Sequence, residues 1–90
     1  MRADSLPKSV EVLGLTYAVE ICDLEDADGD CMPDRQRIRV REGMSDEKTT
    51  QVYVHELVHA VLAGLQCMDE YEDERLVQGL AIGLHRALGL

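Results

Sequence analysis

The sequence has no tryptophan and no phenylalanine, and three tyrosines are its only aromatic side chains. Leucine, valine, isoleucine and alanine must therefore build the core. Cations are scarce: nine Lys and Arg stand against 18 Asp and Glu, for a net charge of −9. Phosphate recognition needs basic patches, so a general nucleic-acid or anionic-membrane binder is excluded. No apolar run approaches the roughly 18 residues that a transmembrane helix requires. The first eight residues, Met1 to Lys8, carry no hydrophobic signal region and read as a loose leader. Cysteine is limited to Cys22, Cys31 and Cys67, an odd number without C-x-x-C spacing. Free thiols in a reducing cytoplasm are the simplest reading; the alternative is a thiolate metal site from Cys22 and Cys31. Ninety residues make one small domain, which buries roughly 60–65% of its extended-chain surface.

What is present centres on His55-Glu56-Leu57-Val58-His59. On a helix, residues four apart lie on one face about 6 Å from each other, so both imidazoles reach one ion from consecutive turns. Glu56 is rotated by about 100° from His55 and flanks that ion. This is the H-E-x-x-H pattern of zinc metallopeptidases, with two histidine ligands and a glutamate general base. The alternative is two solvated helix histidines. The apolar pair Leu57 and Val58 argues against it, because the helix can pack its other side on a core. A bound zinc would also fasten a small core.

Along the chain, Val10 and Val12 alternate with Glu11, while Tyr17, Val19 and Ile21 alternate with Ala18 and Glu20. With a tight turn at Gly14-Leu15, they predict a hairpin of strands 10–13 and 16–22. Residues 23–36 read as a polar loop. Asp26, Asp28, Asp30 and Asp34 around Gly29 resemble acidic calcium loops, but a single copy without a bidentate glutamate favours a solvated turn. Arg37-Ile38-Arg39-Val40-Arg41 predicts a third strand, 37–41, with Ile38 and Val40 facing inward. Its arginines would pair with Glu11 and Glu20 across the sheet, or draw an acidic peptide to a sheet edge, an edge the sequence does not identify. Ser45-Asp46-Glu47 starts a helix over 46–66, with Val54, Leu57, Val58, Val61 and Leu65 as its core stripe. Asp69 and Glu72 suggest a capping box for a second helix over 69–88. It would bury Leu76, Val77, Leu80, Leu84 and Leu88, with Gly79 and Gly83 packed closely on the first helix.

Catalytic zinc takes three protein ligands. If the two helices form a hairpin turning near Cys67 and Met68, His59 lies roughly 10 Å before the turn and Glu74 roughly 8 Å after it, nearly level. Glu74 is therefore the expected third ligand, with Glu70 next and Asp73 level but shorter. Gln78, one turn on, is either an orienting hydrogen-bond partner of a ligand histidine or an exposed residue. His55-Glu56-x-x-His59 followed by Glu74-x-x-Val77-x-x-Leu80-Ala81 resembles the gluzincins, most closely the small bacterial and phage-encoded peptidases of the ImmA/IrrE type. The resemblance implies an α+β, zincin-like fold, with a small antiparallel sheet of about three strands packed on the H-E-x-x-H helix and the C-terminal helix. It also implies one Zn2+ on His55, His59 and Glu74, with Glu56 as base and a peptide or protein as substrate. Gln78 stands where many of these enzymes carry an acid.

Peptide hydrolysis also needs a donor for the oxyanion. Tyr71 is the weak candidate, and His85, three turns beyond Glu74, reads as a surface residue. The rival to an enzyme is a regulatory or interaction module stabilised by zinc, and a calcium-responsive module through Asp26–Asp34 is the third reading. The sequence does not give the oligomeric state.

Overall fold

The computed structural model describes residues 5–90, so Met1 to Asp4 of the expected leader lie outside the described residues. Among the described residues four strands form one sheet: β1 (Ser9–Val12), β2 (Leu15–Cys22), β3 (Gly29–Met32) and β4 (Arg37–Arg41), in the order β1-β2-β4-β3. Three helices follow: α1 (Asp46–Gly64), the short α2 (Met68–Tyr71) and α3 (Glu74–Ala87). The fold is α+β, and the sheet is mixed rather than antiparallel, because β2 and β4 run parallel. The remaining pairs, β1 with β2 and β3 with β4, are antiparallel.

The hairpin forms one residue earlier than expected. Leu13 and Gly14 make its turn with φ of 50° and 87°, the two positive values that a two-residue turn matching the strand twist demands. Leu6 packs partly against the core and the Lys8 carbonyl accepts from Val19 N, so the end of the expected leader is tied down.

The larger correction concerns residues 23–36. After β2 the chain skips past the β4 position to lay down β3 at the sheet edge. It then returns through a single 3-10 turn, Pro33–Arg35, and Gln36 at φ 50°. Gly and Asp are poor strand formers, and what holds β3 is tertiary. A Cβ at Gly29 would lie 2.5 Å from Val52 Cγ1 and 2.9 Å from the Arg39 carbonyl oxygen. Only glycine lets the strand seat this closely on α1.

Alternation along β4 buries Ile38 and Val40 completely and leaves its arginines on the other face. Arg37 Nε pairs with Glu20 at 3.2 Å, but Arg39 pairs with Asp30 and Arg41 with Asp28. Glu11 takes no part in these pairs. Tyr17, Val19, Val52, Tyr53, Val58, Ala60 and Val77 complete the core between sheet and helices.

The Ser45 hydroxyl caps α1 by accepting from Lys48 N at 3.1 Å. The helix ends at Gly64 rather than residue 66, because Gln66 adopts φ 60°. Its N–H reaches the Ala63 carbonyl and Cys67 N reaches the Leu62 carbonyl, the doubly bonded left-handed stop usually supplied by glycine. The expected helix 69–88 is two elements: α2, then α3 capped by Asp73 Oδ1 accepting from Leu76 N.

The buried face of α3 is also not the leucine face. Val77, Ala81 and His85 point inward at spacing four, while Leu76, Leu80, Leu84 and Leu88 are exposed. Val61 and Leu65 of the expected α1 stripe are exposed as well. Gly79 and Gly83 meet nothing within 4 Å of a built Cβ, so they make no close helix contact. No helix among the described residues is long and apolar enough to cross a membrane.

Candidate metal centre

Two consecutive turns of α1 present His55 and His59 on one face, with ring centroids 5.1 Å apart. The first residue of α3 faces them. Glu74 Oε2 lies 3.0 Å from His55 Nε2, and Glu74 Oε1 lies 3.0 Å from His59 Nε2. Sequence spacing pointed to Glu74 through a long helical hairpin. The structure reaches it by breaking that hairpin, so that the Asp73 cap aims the first turn of α3 at α1. Glu70 sits on α2 and is exposed.

One ligand atom from each of His55, His59 and Glu74 falls within 4.8 Å of the others. This is the only group of three or more potential ligands among the described residues. Two imidazoles and a carboxylate are the donor set that suits zinc and neighbouring transition metals. Proton bookkeeping points the same way. His55 Nδ1–H donates to Gln78 Oε1 at 2.6 Å, which leaves the lone pair of Nε2 facing a carboxylate oxygen. Two acceptors face each other there unless a second proton or a metal ion lies between them. The residues thus fit a metal ion, and Gln78 fixes the ring that would hold it.

The calcium alternative gathers no site. Asp30 is held by Arg39, and Asp28 lies between Arg41 and Lys48. The three cysteines are free thiols, as read from their spacing, and Cys22 and Cys31 join no metal-type group.

Glu56 is only 6% exposed, and one cleft is lined by it together with His55, His59, Glu74, Asp30 and Tyr71. Burial pushes its carboxyl up to about 7, with His55 acting against the shift and Glu74 and Asp30 adding to it. Burial lowers the His59 pKa, opposed mainly by the Glu74 charge, and His59 Nδ1 is buried without a hydrogen-bond partner. A low histidine pKa keeps the ring neutral and free to ligate.

Tyr71 does not extend α3 but ends α2. Its ring stands edge-on to His59 at 4.8 Å, and its hydroxyl donates to the Cys31 carbonyl at 3.2 Å. Burial pushes this hydroxyl up to about 12, with Cys31 and Glu56 adding to it. His85, expected at the surface, is 9% exposed with a buried Nε2, on the inner stripe of α3 and outside the metal group.

Sequence reasoning missed the role of β3. Arg41 N donates to the Asp28 carbonyl at 2.7 Å, which makes Asp28 and Arg41 a bonded pair. In an antiparallel ladder bonded pairs alternate, so the backbone groups of Gly29 and Cys31 point away from β4 toward the open sheet edge. That edge borders the same cleft. The only sign of it in the sequence was a lone glycine amid acids.

No family model matches the chain, and no characterised protein or solved structure matches it significantly.

Proposed function

We propose that this chain is a zinc-dependent peptidase, with His55, His59 and Glu74 holding the metal and Glu56 as general base. The observation that carries this reading is Glu56, a buried carboxyl that lines one cleft with all three residues of the metal group. A purely structural zinc site fills its coordination with protein and needs no such base. Zinc bound there would supply the positive charge that acidifies water and polarises a scissile carbonyl.

The chain's own residues account for the remaining steps. The β3 edge receives an extended peptide through the outward backbone groups of Gly29 and the Cys31 N–H, the Cys31 carbonyl being taken by Tyr71. Glu56, buried in the cleft beside the metal group, takes a proton from the attacking water and passes it to the leaving amine nitrogen. Water is consumed, the C–N bond breaks, and a carboxylic acid and an amine are left. Gln78 holds the His55 ring in the tautomer that presents Nε2.

One observation favours a zinc-stabilised interaction module without catalysis. The Tyr71 hydroxyl is committed to the Cys31 carbonyl and so does not serve a developing oxyanion. The deciding experiment pairs elemental analysis with a peptide-cleavage assay on wild type, Glu74→Ala and Glu56→Gln. About one zinc per chain is expected in wild type and Glu56→Gln and much less in Glu74→Ala, with cleavage in wild type alone. Zinc-loaded wild type that leaves every peptide intact leaves the module. Full zinc in Glu74→Ala moves the third ligand to Glu70 or Asp73.

A further inference from the structure

A second cleft adjoins the one at the metal group, sharing Gly29, His55 and Glu56 with it and continuing to Asp28, Lys48, Gln51 and Gln78. Lys48 is the only Lys or Arg lining either cleft among the described residues; the other charged lining groups besides histidine are all acidic. Its partner is loosely held. Lys48 Nζ lies 3.7 Å from Asp28 with both side chains about half exposed, and Asp28 is also 3.7 Å from Arg41. An exposed pair of that length contributes little, and the three groups together leave one positive charge.

The direction of a bound peptide follows from β3. Asp28, just before the strand, is beside Lys48; Gly29 is against Val52 and Glu56; Cys31 is tied to Tyr71, which touches His59. β3 therefore runs along α1 in the same sense. Antiparallel pairing is the more stable per residue, and a peptide added that way at the edge runs opposite to β3, with its C-terminal part leading from Glu56 toward Lys48. Lys48 precedes Glu56 by about two turns, roughly 12 Å at 1.5 Å per residue. An extended peptide advances about 3.3 Å per residue, so Lys48 meets it about three to four residues past the reacting bond.

We infer that Lys48 selects substrates carrying a carboxylate, from an acidic side chain or a chain terminus, about three to four residues beyond the bond that is cut. This deepens the peptidase reading and rests on it.

The test is digestion of a proteome-derived peptide library by the zinc-loaded full chain, with cut sites read by mass spectrometry. Asp and Glu should be enriched about two- to five-fold at the third to fifth positions after the cut, the effect of one partly exposed charge pair. Lys48→Glu should reverse the preference toward Lys and Arg, and Lys48→Arg should keep it. A second readout needs no turnover. Zinc-loaded Glu56→Gln should bind a peptide with Glu at the mapped position more tightly than its Gln twin, and added salt should erase the difference. Cleavage without charge preference, or an acidic preference surviving in Lys48→Glu, overturns this inference alone. Absence of any cleavage by zinc-loaded wild type overturns the peptidase reading and this inference with it.

Discussion

Glu56 stores a measurable strain in the metal-free chain. Its carboxyl is raised from an ordinary 4.5 to about 7, chiefly by burial. A raised pKa means that folding favours the protonated form. The group's contribution is therefore complete below about pH 4.5 and is lost as pH rises to about 7. Urea unfolding in chelator at pH 5 and pH 8 should show wild type losing up to about 3 kcal/mol relative to Glu56→Gln over that interval. Parallel pH profiles of the two proteins would show that Glu56 is solvated and unsuited to the role given it. At this scale much was legible in the sequence. The i, i+4 spacing of His55 and His59 fixes their common face, and Glu56 follows from its place between them. His85 was not legible as a buried residue, because helical periodicity gives the angle between side chains but not which face the rest of the chain covers.

Elements are set by how their ends are stopped, and here two acids competed to start the last helix. Asp69 and Asp73 both fit a capping position, but only Asp73 accepts from a backbone N–H three residues on. Asp73→Ala should cost about 1 kcal/mol in unfolding free energy and weaken zinc retention, since that cap aims Glu74. Asp69→Ala should change neither by more than a few tenths of a kcal/mol. Equal effects of the two would restore the continuous helix 69–88. The α1 start was legible because Ser45 followed by acids is a strong signal. Its stop was not, because Gln66 takes a conformation for which sequence reading looks to glycine. β3 was hidden for a related reason. Gly29 and Asp30 have weak strand preference, and the strand exists through its pairing with β4 and its seat on α1.

For the whole molecule, metal and fold are expected to be linked. The ligands come from α1 and α3, so an ion that binds only the folded chain stabilises it by mass action. Zinc at about 100 times its dissociation constant should add about 2.7 kcal/mol, which in a domain of this size raises Tm by about 10–20 °C. Chelator should reverse the rise, and His59→Ala should abolish it. An unchanged Tm with zinc would separate the His–Glu group from any metal. Such a dependence suits a core without Phe or Trp, in which Tyr17, Ile38, Val40 and Val77 are the largest fully buried apolar side chains among the described residues. By itself the sequence determined the hairpin, the alternating strand β4, the helix that carries His55, Glu56 and His59, and the short pool of acids containing Glu74. Each of these is a local pattern, set by periodicity or capping within a few residues. Tertiary structure alone decided the fourth strand at the open edge, the parallel pairing of β2 with β4, the buried face of α3 and the placing of Lys48 beside Asp28. These depend on which surfaces meet across the chain, and contacts between distant residues leave no period in the sequence.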